Sequence, residues 1–227
     1  MKITYYGHSC FAVQCGKFNL LFDPFISPNP KAKDIDLSTI KANYILISHA
    51  HGDHIADAVT LAHQNNATLI AAYEITEYFT NKGITKNHPM NTGAYISFPF
   101  GKLRTVVAQH SSTFPDGTPG GNPMGFVIEA EKTFYYAGDT ALTLDMELIA
   151  RKHQVDFAFL PIGNNFTMDY FDACDAADMV KTNQVVGMHF DTFPYIEINH
   201  SEAETYFANR NKTLKLPAIG ESFDIYL

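Results

Sequence analysis

The chain reads as one α/β domain of layered sheets, residues 1–227, and three observations predict it. Its 227 residues are 46% hydrophobic and 18% charged, a globular balance with enough length to bury roughly 70% of the unfolded surface without covalent staples. Its first third is a run of short aromatic and aliphatic segments separated by turn residues. The remainder alternates strand-like and helix-like periods.

Lys2–Tyr6, Phe11–Gln14 and Phe18–Phe22 are aromatic and β-branched, with turn signals at Gly7 and Gly16, and predict three strands. Asp23-Pro24 opens a loop that runs through the Pro- and Lys-rich Ser27–Lys33. Tyr44–Ser48 (YILIS) is an apolar run suited to a buried strand. Ile55, Val59 and Ala62 share a helical face, which predicts a helix over Ile55–Gln64. Thr68–Ala72 returns to strand, and Ile75–Asn81 reads as a short helix ended by Gly83. Strands follow at Lys102–Ala108, Gly125–Ala130 and Thr133–Ala137, the last two joined by a tight turn at Glu131-Lys132. Then come helix Leu142–Lys152, strand Val155–Leu160, helix Asp172–Thr182, strand Val185–Met188, helix Ser201–Asn209 and a last strand Ser222–Tyr226. No linker and no internal repeat stands out. Ser111–Met124 holds three Pro and three Gly in fourteen residues, so it is loop, and a loop of that length inside a domain usually serves function.

The net charge of −8 and the lack of Lys/Arg clusters disfavour a nucleic-acid partner, because phosphate neutralisation needs clustered cations. An odd cysteine count (Cys10, Cys15, Cys174) without a CxxC argues against a disulfide framework and fits a reducing cytosol. The opening MKITYYGHSCFAV lacks the apolar core of a secretion signal. No window approaches 18 apolar residues, so no membrane span is expected.

The chemistry concentrates in Ser48-His49-Ala50-His51-Gly52-Asp53-His54, where four metal-capable side chains fall within six residues directly after an apolar strand. Imidazole and carboxylate are ligands for zinc, iron or manganese. Residues two apart on an extended backbone can aim at one point, and Asp53 and His54 stand at the entry to the next helix. His110, Asp139 and His189 each follow a further predicted strand. Taken singly, either histidine could be structural, and Asp139 could be a helix N-cap. Their company with the first motif favours a shared metal site.

With these residues in place the chain resembles the metallo-β-lactamase superfamily over essentially its whole length. The resemblance implies a four-layer αββα sandwich. It also implies a site for two divalent metal ions, zinc foremost, with manganese, iron or nickel as alternatives. By that match His49, His51 and His110 hold the first ion, Asp53, His54 and His189 the second, and Asp139 bridges them. A complete set of histidines separates the chain from the diiron flavoprotein branch, where one early His is Glu. TYYGHSCF, LLFDPF and GGNPMGF resemble the small bacterial metal-dependent hydrolases of unassigned substrate that are similar to L-ascorbate-6-phosphate lactonase.

The function so implied is hydrolysis of a small ester, lactone or phosphoester by a hydroxide shared between the metals. Asp53, with lone pairs to spare, is expected to orient that nucleophile and handle its proton. His8 lies in a turn that the resemblance places near the metals. It is a candidate substrate contact or proton donor to the leaving group, or else a turn histidine bonded to backbone. Asp23 either orients a ligand histidine or simply begins an Asp-Pro turn. Asp191 reads as a loop residue or an accessory to His189. His63, His88, His153 and His200 are expected to face solvent, and the loop after His110 to cover the cleft. A nuclease of the same fold would carry basic patches, which this chain lacks. A non-catalytic module would be expected to lose ligands, and all seven are present. A small-molecule substrate and a homo-oligomer are the expected partners.

Overall fold

The computed structural model describes residues 1–225, with fourteen strands and six α-helices among them. The strands are β1 Lys2–Gly7, β2 Cys10–Cys15, β3 Phe18–Phe22, β4 Tyr44–Leu46, β5 Thr68–Ala72, β6 Asn87–Met90 and β7 Tyr95–Phe98. They continue with β8 Gly101–Val107, β9 Met124–Glu129, β10 Thr133–Tyr136, β11 Phe157–Pro161, β12 Gln184–Met188, β13 Thr213–Lys215 and β14 Ser222–Asp224. The helices are α1 Gly52–Ile55, α2 Ala58–Asn65, α3 Tyr73–Thr80, α4 Met146–Ala150, α5 Tyr170–Met179 and α6 His200–Ala208.

The strands form two seven-stranded sheets, ordered β14-β1-β2-β3-β4-β5-β6 and β7-β8-β9-β10-β11-β12-β13. In each sheet the first three pairings are antiparallel and the last three parallel. The inner faces meet through aromatic rings. Phe22 stacks on Tyr136 at 4.5 Å and reaches Phe126 and Phe134, while Phe11 meets Phe159 at 4.7 Å. Helix α3 packs on β5 and β6, and α5 and α6 on β11 and β13. The result is the expected αββα sandwich, with one continuous apolar cluster running through both sheets. Parallel strands buried on both faces cannot alternate polar and apolar residues, and β11 (FAFLP) is buried at all five positions.

Several elements differ from the sequence reading. The expected helix 55–64 breaks in two at Asp57, whose backbone N–H donates to the Pro24 carbonyl at 3.0 Å. Its carboxylate accepts from the backbone of Ile26 and Ser27, so the break serves the loop after β3. Only residues 146–150 of the expected 142–152 helix are helical, because 139–143 run across the strand ends, with Ala141 N–H donating to the Gln109 carbonyl at 3.1 Å. Strands β6, β7 and β13 were not legible in the sequence. All three are edge strands, short and partly polar, and β6 contains Pro89, which a sheet tolerates at its edge. The last strand ends at Asp224, and Tyr226 lies outside the described residues.

His153 does not face solvent. It is buried, with Nδ1 2.7 Å from Glu129 Oε1 and Nε2 accepting from Arg104 Nε at 2.9 Å. The turn after α4 tucks it against β8 and β9. His88 is half-buried against Phe98, whereas His63 and His200 are exposed.

Candidate metal centre

Parallel strands bring their C-terminal ends to one edge of a sheet, and the loops that leave them meet there. At this edge the two sheets contribute every metal-capable residue singled out above. The segment after β4 carries His49, His51, Asp53 and His54, with α1 opening at Gly52. His110 comes three residues after β8, Asp139 three after β10 and His189 directly after β12. Asp139 is no helix cap, since α4 begins only at Met146.

The donor atoms of the expected ligands fall into two sets, linked by a third group of Asp23, His49 and His54. One nitrogen from each of His49, His51 and His110 lies within 4.8 Å of the others. A second set of the same tightness comprises Asp53, His54, His189 and His8. Asp139 Oδ2 stands between them. It is 3.9 Å from His49 Nε2 and 3.7 Å from His110 Nε2 on one side, and 3.3 Å from His54 Nε2 and 3.0 Å from His189 Nε2 on the other. His54 Nε2 and Asp139 Oδ1 are buried with no hydrogen-bond partner, which native interiors rarely tolerate without an ion or water. The donor set fits divalent cations.

The electrostatics of the bare protein agree. Burial, reinforced by His54, holds His49 well below the usual imidazole pKa, and burial also lowers His51 and His110. These rings are neutral at pH 7 and can offer a lone pair. Burial opposes charge on Asp139, but His189 and His54 outweigh it and keep the carboxylate ionised. On His54 burial is likewise overruled, here by Asp139, Asp23 and Asp53, and its pKa is held well above normal. Three carboxylates, Asp23, Asp53 and Asp139, thus converge on the single imidazole of His54, an excess of negative charge that a bound cation would offset.

A further ring of contacts orients these ligands. Asp23, fully buried, accepts from His54 Nδ1 at 2.9 Å, from Ser48 N–H at 2.7 Å and from the Tyr136 hydroxyl at 2.9 Å. Its carboxylate thus turns His54 Nε2 toward Asp139, so orienting a ligand histidine is what its geometry provides. Gly138, at φ +64°, lets the Asp139 loop touch the first motif, since a Cβ there would lie 2.7 Å from Ser48 Cβ. Asp191 accepts from Ile198 N–H and pairs with His200, away from the metal ligands.

His8 is wholly buried and is not among the residues that line the cleft. Nor is it a ring bonded to backbone. It stands behind Asp53, with Nε2 3.1 Å from Asp53 Oδ2 and Nδ1 2.9 Å from Thr192 Oγ1. Burial, with His189 nearby, pushes its pKa down to about 4. The neutral ring therefore donates from Nε2 to the ionised Asp53 and accepts from the Thr192 hydroxyl.

The cleft itself is lined by His51, Asp53, His110, Ser111, Asp139, Phe166, His189, Phe193, Pro194 and Tyr195. The expected cover is elsewhere. Of the loop after His110 only Ser111 reaches the cleft. The rest folds back, with Phe114 stacked on Tyr78 at 3.6 Å and Ser112 Oγ accepting from Ala50 N–H. It buttresses the first motif from behind. The mouth is formed instead by Phe166 and by residues 193–195, which sequence reading missed because a lone aromatic in a loop carries no periodic signal.

Comparisons with known proteins agree with this geometry. A family model described as "Beta-lactamase superfamily domain" matches residues 18–190. A UPF0173 metal-dependent hydrolase of Flavobacterium johnsoniae is 54% identical, covering 99% of this chain and all of the relative. One from Christiangramia forsetii is 48% identical, with 99% and 100% coverage. Among solved structures, a metallo hydrolase of the hyperthermophilic archaeon Ignicoccus hospitalis superposes with a TM-score of 0.89 at 31% identity, covering 99% of both chains.

Proposed function

The chain belongs to the β-lactamase superfamily and, within it, to the UPF0173 metal-dependent hydrolases, and from that premise we propose that it hydrolyses a small ester, lactone or phosphoester at a two-metal site. His49, His51 and His110 would hold one ion, Asp53, His54 and His189 the other, and Asp139 would bridge them. One observation carries this reading: a single carboxylate oxygen of Asp139 stands 3.0–3.9 Å from histidine nitrogens of both sets. Zinc suits a nitrogen-rich set of this kind.

When bound, such ions supply Lewis-acid polarisation of the scissile oxygen and lower the pKa of water toward neutrality. The protein's own part is positioning and proton handling. Asp53 is the one ligand carboxylate with appreciable exposure, its side chain 28% accessible and facing the cleft. Although partly buried, it is kept ionised by His54 and by the hydrogen bond from His8. We assign it the role of accepting the proton of the attacking water. His8 acts through Asp53, pinning one oxygen so that the other stays turned to the cleft. Three buried, unpaired cysteines are in keeping with work in a reducing compartment.

The test is metal content per chain by elemental analysis, for the wild type and His110→Ala. Two equivalents falling to about one or fewer in the variant are expected. One equivalent in the wild type would overturn the two-metal reading, and none from metal-replete medium would overturn the site.

A further inference from the structure

The aromatic lining of the cleft bears on the chemical class of the substrate, and this inference rests on the hydrolase reading above. The cleft encloses about 600 Å³, within the range of roughly 300–1,000 Å³ typical of small-molecule sites. Besides the ligand cluster, the lining is mostly aromatic, with Phe166, Phe193 and Tyr195 joined by Pro194.

Two of these rings are conspicuously uncovered. Phe166 is 51% exposed and Tyr195 75% exposed, although they come from different loops. Their centroids are 6.4 Å apart with planes at 74°. Neither loop is slack. Phe166 stands at the tip of a turn closed by the Gly163–Asp169 bridge and the Asn164 N–H to Met168 carbonyl bond. Tyr195 lies in a short 3₁₀ turn, Pro194–Ile196, tied back by Asp191 N–H to the Ile196 carbonyl. Pinned aromatic side chains at a cleft mouth hold apolar surface in water, and a bound apolar group would cover it.

Charge points the same way. A phosphate or carboxylate handle is normally met by Arg or Lys, and neither lines the cleft among the described residues. Away from the metal ligands, the only neutral side-chain donors lining it among the described residues are the hydroxyls of Ser111 and Tyr195.

We infer that the substrate is a neutral carboxylic ester or lactone whose non-reacting part is an uncharged planar group, an aromatic ring foremost, packed against the edge-to-face pair of Phe166 and Tyr195. Water oxygen adds to the carbonyl carbon and the acyl C–O bond breaks. One water proton ends on the leaving oxygen and the other leaves the product carboxylic acid at neutral pH, so no further reactant is needed. Beyond the ions themselves, the anionic oxygens of a phosphoester would find no cationic side chain on the walls.

The experiment compares 2-naphthyl acetate with 2-naphthyl phosphate on the metal-loaded protein and on the Phe166→Ala/Tyr195→Ala double variant. Calorimetric titration with 2-acetonaphthone, a neutral aryl ketone with no bond to hydrolyse, runs in parallel. The acetate is expected to exceed the phosphate at least tenfold in kcat/KM. The double variant is expected to lose at least tenfold in acetate turnover and in ketone affinity, with metal content unchanged. Faster or equal phosphate hydrolysis, or a double variant that loses neither turnover nor binding, overturns the inference. Ketone binding that depends on both rings, with no ester turned over, supports the apolar seat while overturning the hydrolase reading.

Discussion

At the scale of single residues, the site is held by side chains that never reach the cleft. Asp23 is the clearest. Its carboxylate takes hydrogen bonds from His54, Ser48 and Tyr136 at once, and an amide cannot accept from all of them. In Asp23→Asn the amide nitrogen faces donors, so His54 loses its fixed orientation. Changing such an outer partner typically weakens metal affinity roughly 10–100-fold. Competition with a chromogenic chelator should show that loss for one equivalent of metal and leave the other nearly unchanged. Equal weakening of both would mean that Asp23 supports the fold rather than His54. Its sequence signal was an Asp before Pro, which turns share, and only its burial and partners separate the two roles.

At the scale of elements, the ligand loops depend on backbone approaches that exclude a side chain. Gly163 follows β11 and lies against the loop that carries His189, where an added Cβ would land on the His189 carbonyl oxygen. His189 itself has φ +55° and donates its N–H to the His8 carbonyl at 2.9 Å, so it has little freedom to retreat. Overpacking of this kind costs about 1–3 kcal/mol. Gly163→Ala should lower the urea midpoint by a corresponding amount and reduce metal retention, since His189 must shift. A variant with wild-type midpoint and full metal content would show that the β12 loop yields easily. The divided helix at Asp57 follows the same logic, because periodicity reports a helical face but not a carboxylate required by a neighbouring loop.

At the scale of the molecule, the two sheets repeat one plan. Each runs through three antiparallel and then three parallel pairings. In equivalent places, Asp23 follows β3 as Asp139 follows β10, and His8 follows β1 as His110 follows β8. One half supplies the motif after β4 and the other supplies His189, so neither sheet completes the site alone. Bound ions would therefore tie the halves together. A ligand at about 100 times its Kd stabilises the native state by about 2.7 kcal/mol, and for a domain of this size each kcal/mol moves Tm by about 2–4 °C. Chelation should accordingly lower Tm by about 5–10 °C, reversibly on adding metal back. An unchanged Tm with the metal demonstrably removed would show that the cluster adds nothing to stability.

The ligand inventory and much of the scaffold could be read from the chain alone. The density of ligand types in HAHGDH, and the habit of placing His110, Asp139 and His189 after apolar strands, are local facts that a linear reading can hold. The central strands were legible for the same reason, since burial on both faces writes itself as an apolar run. Three of the four edge strands, β6, β7 and β13, were not, because half-exposed pairing leaves no such mark. Tertiary structure alone decided which atoms meet. It placed one Asp139 oxygen between two histidine sets, set His8 behind Asp53, and buried His153. It also made the mouth from Phe166 and Tyr195 rather than from the long loop after His110. Convergence of residues far apart in sequence depends on sheet order and register, which arise from packing two faces together and not from any single segment.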